Sequence, residues 1–186
     1  MNNLFILVYS SWFLSELLLN RLMHSKADDR QNTDQGSLSL IWITIMISIS
    51  IAVVVSNLYY WPIRKGILIQ YVGLIVIIAG MVLRLTVIAS LGSFFTVDVT
   101  IRENHTLKKD GFYRYLRHPS YFASLLSFVG FGLSLNNWIS FLIVVVAIVG
   151  AFRYRIKVEE QALINQFGQD YLDYKKSTKG LIPFLF

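Results

Sequence analysis

The sequence predicts an all-α protein that crosses a membrane about five times and builds a pocket from its C-terminal half. Three observations predict it. Hydrophobic residues make up 55% of the 186-residue chain and gather in long blocks, which is a bilayer signature rather than that of a soluble core. Charged residues amount to only 15%, where a soluble domain carries about 25%. Lysine and arginine fall very unevenly among the loops that join the apolar blocks.

The first block covers residues 4–19 and contains Glu16, so it is not a purely lipid-facing span. It has neither the basic leader nor the small-residue cleavage site of a signal peptide, and reads as a retained membrane helix. A polar loop, residues 21–36, follows. The second block, 38–60, is long enough to cross ~30 Å of hydrocarbon. It ends on Tyr59, Tyr60 and Trp61, an interfacial aromatic cluster, and Pro62 stops the helix. The third block, 67–91, carries Arg84 about two turns from its end, where snorkelling to the interface is the expected account. After a polar stretch, 92–119, two shorter blocks at 120–135 and 138–152 flank Asn136 and Asn137 and form a tight helical hairpin. Each arm is shorter than an ideal span, so the hairpin tilts or is sheltered by protein. The tail from residue 153 is charged and amphipathic. The whole reads as one domain, 1–186, with three spans in 1–91 and the chemistry in 92–186. For Glu16, a cleft-lining role and an interhelical hydrogen bond fit equally well. Trp12, Trp42, Trp61 and Trp138 read as packing or interface anchors.

Five spans put the two ends on opposite sides, and charge chooses between them. With the N-terminus outside, one face receives Arg21, Lys26, Arg30, Arg102, Lys108, Lys109, Arg114, Arg117, Arg153, Arg155, Lys157, Lys175, Lys176 and Lys179. The other receives only Arg64 and Lys65. The positive-inside rule then makes the C-terminus cytosolic. The net charge of +6 is read as attraction to anionic lipid, not to nucleic acid. The absence of cysteine excludes disulfides, thiolate catalysis and cysteine-based zinc sites. His24, His105 and His118 lack helical metal-ligand spacing, so no metal is expected.

Three pieces converge on the cytosolic face: His105-Thr106-Leu107 with Gly111-Phe112-Tyr113; Arg117-His118-Pro119-Ser120-Tyr121; and Arg155 with Glu159-Glu160, followed by Phe167-Gly168 and Tyr171 to Tyr174. Pro119 disfavours helix at His118 and suits the first turn of the next helix. Helix starts leave backbone N–H groups free for polar or anionic ligand groups. A capped, membrane-anchored helix explains the same spacing. Arg155 and Glu159 are four residues apart and share a face. An exposed ion pair is the simple reading, but arginine before glutamate is the weaker order, and each charge is available to a ligand in the alternative reading.

The run His-Thr-Leu, five residues, Tyr, four residues, His-Pro-Ser-Tyr, and the tail Glu-Glu, Leu-Ile, Phe-Gly, Tyr-Leu-Asp-Tyr-Lys-Lys closing on Leu181-Ile182-Pro183, resemble the isoprenylcysteine carboxyl methyltransferase family over about the last ninety residues. The resemblance implies S-adenosylmethionine as methyl donor, with S-adenosylhomocysteine as product, in a cytosolic cofactor pocket. His105, Thr106, Leu107, Lys108 and Tyr113 would line that pocket, His118, Pro119, Ser120 and Tyr121 would continue it, and Glu159 would bind the donor. Arg155 would face the substrate carboxylate, making Arg155 and Glu159 the catalytic pair. Lys108 stands where the family has a small apolar residue and so would contribute backbone; Ala123 stands where glycine is frequent; Asp98 sits where a polar residue on the cofactor side can occur. The implied partners are the lipid bilayer and a lipophilic small-molecule or prenylated substrate, with no nucleic acid and with the oligomeric state open.

A carboxylate acceptor is already ionised at pH 7, so transfer needs no general base. It needs alignment and exclusion of water, and arginine suits a two-point carboxylate clamp. Three other readings stay in view. Phospholipid amine N-methylation would require a base such as His118 or Glu160. An NADPH-dependent sterol-reductase-like enzyme shares Arg-His-Pro-x-Tyr, and a non-enzymatic scaffold could keep the fold.

Overall fold

Each apolar block becomes a helix in the computed structural model, which describes residues 2–23, 36–92 and 107–181. Among these residues the α-helices are α1 (Asn3–Leu22), α2 (Ser37–Leu58), α3 (Leu68–Leu91), α4 (Pro119–Ser134), α5 (Trp138–Phe167) and α6 (Gln169–Ser177), with a 3-10 turn at Gly111–Arg114 before α4. The helices α1, α2, α3 and α5 are long and apolar enough to cross a membrane. The chain is thus an all-α, multi-pass membrane protein.

The second arm of the hairpin differs from expectation, while the first is short and sheltered as expected. α5 does not end near residue 152 but runs on to Phe167 without a break, 30 residues in all. At 1.5 Å per residue that is about 45 Å, so its last turns carry Arg155, Glu159 and Glu160 past the apolar core. α4 has only 16 residues, about 24 Å, and is sheltered by other helices rather than by lipid. Its small residues Ala123, Ser127, Gly130 and Ser134 recur every three or four positions and bury one face. That face meets Gly73 and Gly80 of α3 so closely that a Cβ at Gly130 would stand 2.6 Å from the Ile77 backbone nitrogen. Without a hydrophobic drive between helices in lipid, such backbone contact is what dispersion can use.

The remaining helices arrange themselves around this centre. α5 packs on α4, α2 on α5, and α1 on α3. Ser140 Oγ donates to the Ala52 carbonyl at 2.7 Å, fixing α5 to α2. α1 and α2, adjacent in sequence, therefore flank the bundle instead of forming a hairpin with each other.

At the end away from the basic face, the α4–α5 turn is stitched to the 59–67 loop. Asn136 has φ +48°, a left-handed position that asparagine tolerates better than most residues. Its amide donates to the Arg64 carbonyl at 2.9 Å and accepts from the Arg64 N–H at 3.1 Å. Asn137 caps α5 by accepting from the Ser140 N–H at 3.0 Å. The expected aromatic cluster is exposed here, with Tyr60 90% accessible, as an interfacial belt requires.

Candidate functional site

At the basic end of the bundle, Pro119 opens α4 as the sequence predicts, with His118 as its N-cap. The segment before it is fixed by the tail. Leu116 and Lys179 form an isolated parallel bridge. The Arg117 N–H donates to the Lys179 carbonyl at 2.8 Å, and the His118 N–H to the Gly180 carbonyl at 3.2 Å. Tyr174 on α6 donates to the Tyr113 carbonyl at 2.5 Å. Residues 113–118, α6 and the end of α5 thus form one cap over the helix start.

Glu160 is the hub of that cap. It accepts from Arg117 Nε at 2.8 Å and from Lys175 Nζ at 2.5 Å, and His118 Nε2 lies 3.3 Å away. Arg117 Nη1 continues to the Lys175 carbonyl at 3.0 Å and to the Thr178 carbonyl. Glu159, one residue earlier, differs. Its side chain is 31% exposed, 3.7 Å from His118 Nδ1, and it lines a large cavity, whereas Glu160 does not.

The cavity has a volume of about 920 Å³, near the top of the range for ligand sites and large enough for more than one ligand. Leu107, Lys108, Tyr113, His118, Pro119, Ser120, Tyr121, Arg155 and Glu159 all line it, so the structure brings together every expected site residue that it describes. His105, Thr106 and Asp98 lie outside the described residues. Lys108, expected to act through its backbone, pairs with Asp110 at 3.1 Å, which holds the Asp110 carboxyl below its usual range.

Two parts of the cavity differ in chemistry. The capped end is polar and carries Tyr113, Tyr171 and Tyr174 besides Tyr121. Burial first, and the Glu159 charge second, raise the Tyr113 hydroxyl above the ordinary tyrosine range. Burial and the nearby Glu160 and Glu159 charges do the same to Tyr171, and burial pushes Tyr174 up to about 12. All three stay neutral hydrogen-bond donors at physiological pH. The Tyr171 hydroxyl is sealed from solvent and has no hydrogen-bond partner. Away from the cap the lining becomes an apolar lane between α1 and α2, floored by α4. α1 contributes Phe5, Tyr9, Trp12 and Phe13; α2 contributes Ile41, Ile45, Ile49 and Val53; α4 contributes Phe128 and Phe131. Trp12 meets Phe128 edge to face at 4.9 Å.

Two arginines sit where the parts join. Arg155 is 1% exposed; its Nε donates to the Tyr121 hydroxyl at 3.2 Å and its Nη1 to Ser37 Oγ at 2.5 Å. Arg84 does not snorkel. Its Nε lies 2.9 Å from Glu16 Oε1, and its Nη1 donates to the Ser120 carbonyl at 3.2 Å and to Ser120 Oγ at 3.1 Å. Both Glu16 and Arg84 line the cavity. Sequence reasoning took them singly. The available signal was that each is an ionisable residue in an apolar span near its basic end, where an isolated charge is costly and a partner is expected. The walls from α1 and α2 and the orphaned Tyr171 hydroxyl were also missed.

Similarity to known proteins covers the same region. The sequence profile of the isoprenylcysteine carboxyl methyltransferase (ICMT) family matches residues 72–165. The chain is 38% identical over 127 residues to protein-S-isoprenylcysteine O-methyltransferase of Dictyostelium discoideum, covering 67% of this chain and 54% of that protein. It is 34% identical over 140 residues to protein-S-isoprenylcysteine O-methyltransferase B of Arabidopsis thaliana, covering 74% and 71%. The fold is similar to the solved structure of the eukaryotic intramembrane Ras methyltransferase ICMT. There the TM-score is 0.64 at 26% identity, covering 98% of this chain and 64% of that one. This chain therefore spans about half the length of the Dictyostelium relative.

Proposed function

The chain belongs to the isoprenylcysteine carboxyl methyltransferase family, and from that premise we propose that it methylates the carboxylate of a prenylated or similarly lipid-tailed acceptor, using S-adenosylmethionine. The observation that carries this reading is a continuous cavity that joins a polar, capped end to an apolar lane between transmembrane helices. A methyl donor and a lipid-tailed acceptor need that combination.

When bound, S-adenosylmethionine supplies an electrophilic methyl group whose bond to sulfur breaks as a carboxylate oxygen takes it up. The residues present fit such a donor. Glu159 offers the cavity a carboxylate that is not consumed by the Glu160 hub, and the orphaned Tyr171 hydroxyl is a donor in want of an acceptor. His118, Pro119, Ser120 and Tyr121 form the wall behind them, with Leu107, Lys108 and Tyr113 beside it; His105 and Thr106 would complete it. On the acceptor side, Arg155 and Arg84 would hold the carboxylate by charge-assisted hydrogen bonds. The lipid chain would stay in the lane while its head reaches the cap. The protein's task is alignment and exclusion of water, since a carboxylate at neutral pH is already a nucleophile.

An amine acceptor is less well served. It must lose a proton to a base open to the site, and Glu159, the carboxylate that lines the cavity, is given to the donor in this reading. Glu160 is enclosed by Arg117, Lys175 and His118, and His118 is itself 3% exposed between the two glutamates. The lopsided Lys/Arg distribution supports a cytosolic cap with the N-terminus outside. Calorimetric titration of the purified protein with S-adenosylmethionine tests the donor half of this reading. One-site binding is expected, and folded protein that binds none of it would end the proposal.

A further inference from the structure

We propose that Glu16 is a positioning residue for the acceptor: its carboxylate holds the Arg84 guanidinium at the junction of the polar end and the apolar lane. This rests on the reading above, in which Arg84 meets the acceptor carboxylate. It adds α1 to the machinery that selects an acid.

The geometry points this way. A guanidinium carries five N–H donors. In Arg84, Nη1 is spent on the Ser120 carbonyl and hydroxyl. Nε lies within ion-pair distance of Glu16 Oε1 at 2.9 Å, yet its N–H is not directed into a hydrogen bond and it is otherwise sealed. The charge is therefore balanced while the donor capacity is only partly used. The two side chains are 14% and 17% exposed, and both residues line the cavity. A pair built only to join helices would bury its polar atoms against each other; this one keeps a face open to the site.

Charge and depth give the physical reason. An arginine inside an apolar span needs a partner to stay in place when no ligand is present. Ser120 orients one edge but carries no charge. Glu16 supplies the charge from the opposite side, across the gap between α1 and α3. With both holds in place, the guanidinium is already oriented when an acceptor carboxylate arrives. Removing Glu16 would leave Arg84 free to swing toward the basic interface, which is the snorkelled state that sequence alone favours.

The test measures binding of S-farnesyl-N-acetylcysteine to the detergent-solubilised protein saturated with S-adenosylhomocysteine. Binding of S-adenosylhomocysteine itself serves as the check on the donor side. Glu16→Gln is expected to weaken the farnesylated probe about tenfold, the size of one lost charged contact, with S-adenosylhomocysteine binding unchanged. Arg84→Gln should weaken the probe at least as much, and Glu16→Gln should add nothing in that background. The exchanged pair, Glu16→Arg with Arg84→Glu, restores the link between α1 and α3 but moves the cation, and should bind as poorly as Arg84→Gln. If Glu16→Gln fails to fold, Glu16→Asp, which keeps the charge and shortens its reach, should give a smaller loss of the same kind. Unchanged probe binding in Glu16→Gln beside a clear loss in Arg84→Gln would overturn the role of Glu16 and leave the acceptor reading intact. Recovery of binding in the exchanged pair would show that the link only docks α1. Full binding in Arg84→Gln would remove both the inference and the role given to Arg84.

Discussion

Glu159 and Glu160 are neighbours in different surroundings, and the helix is the reason. One step along α5 turns a side chain by about 100°, enough to aim Glu159 into the cavity and Glu160 into the knot of Arg117, His118 and Lys175. The two positions should therefore respond differently to the same substitution. Glu159→Gln should weaken S-adenosylmethionine by about tenfold or more, the loss of a charged contact, and leave the melting temperature nearly unchanged. Glu160→Gln should cost about 2–3 kcal/mol of stability. That is below the ~3–5 kcal/mol of breaking a fully buried pair, because Lys175 is 41% exposed. Calorimetry and thermal melts on the two variants separate the roles; equal effects on both readouts would contradict the division. From the sequence the pair Glu159-Glu160 was visible, but its division of labour was not. It depends on Arg117 and Lys175, which reach Glu160 from 43 and 15 residues away.

Among the elements, α4 has the bounds its local pattern marks, and its placement rests on contacts that pattern does not show. Pro119 and the Asn136-Asn137 turn mark its ends in the sequence. That it sits inside the bundle follows from its glycine and serine stripe meeting the α3 glycines, and only the assembled pair shows this. Gly130→Val would drive side-chain atoms into the Ile77 nitrogen and the Gly73 carbonyl, 2.6 and 2.7 Å from the position of a Cβ. The expected cost is about 1–3 kcal/mol or more of overpacking, read as a lower melting temperature in detergent. α6 and the strap at 179–180 make a second case, because a tail that reads as a charged amphipathic helix also closes the site. Its seat depends on neutral tyrosines. Tyr174 is raised by burial from about 10 to about 12, so the folded state favours its protonated form. The sign follows: this contribution is fully present below pH ~10 and is lost as pH rises through about 12. Melting temperature should fall across that window, and Tyr174→Phe should flatten the fall. An unchanged slope in the variant would assign the alkaline loss elsewhere.

For the whole molecule, apolar blocks and interfacial aromatics made the membrane architecture legible, and turn residues marked most boundaries. The cavity was not legible, because its walls come from α1 and α2, which are consecutive in sequence and yet pack on different helices, α3 and α5. Nor was the pairing of Arg84 with Glu16, two charges that each look like exceptions to an apolar span until the fold joins them. These features make one route from an apolar lane to a capped polar end, and the chemistry proposed for it is ester formation on a carboxylate. The most direct measurement gives the purified protein labelled S-adenosylmethionine and S-farnesyl-N-acetylcysteine, then treats the product with mild base. The account predicts label in the farnesylated product, released as methanol by base, and lost in Arg155→Gln while S-adenosylhomocysteine still binds. Label that survives base, or a protein that binds the donor and the farnesylated acid together and transfers nothing, would contradict it.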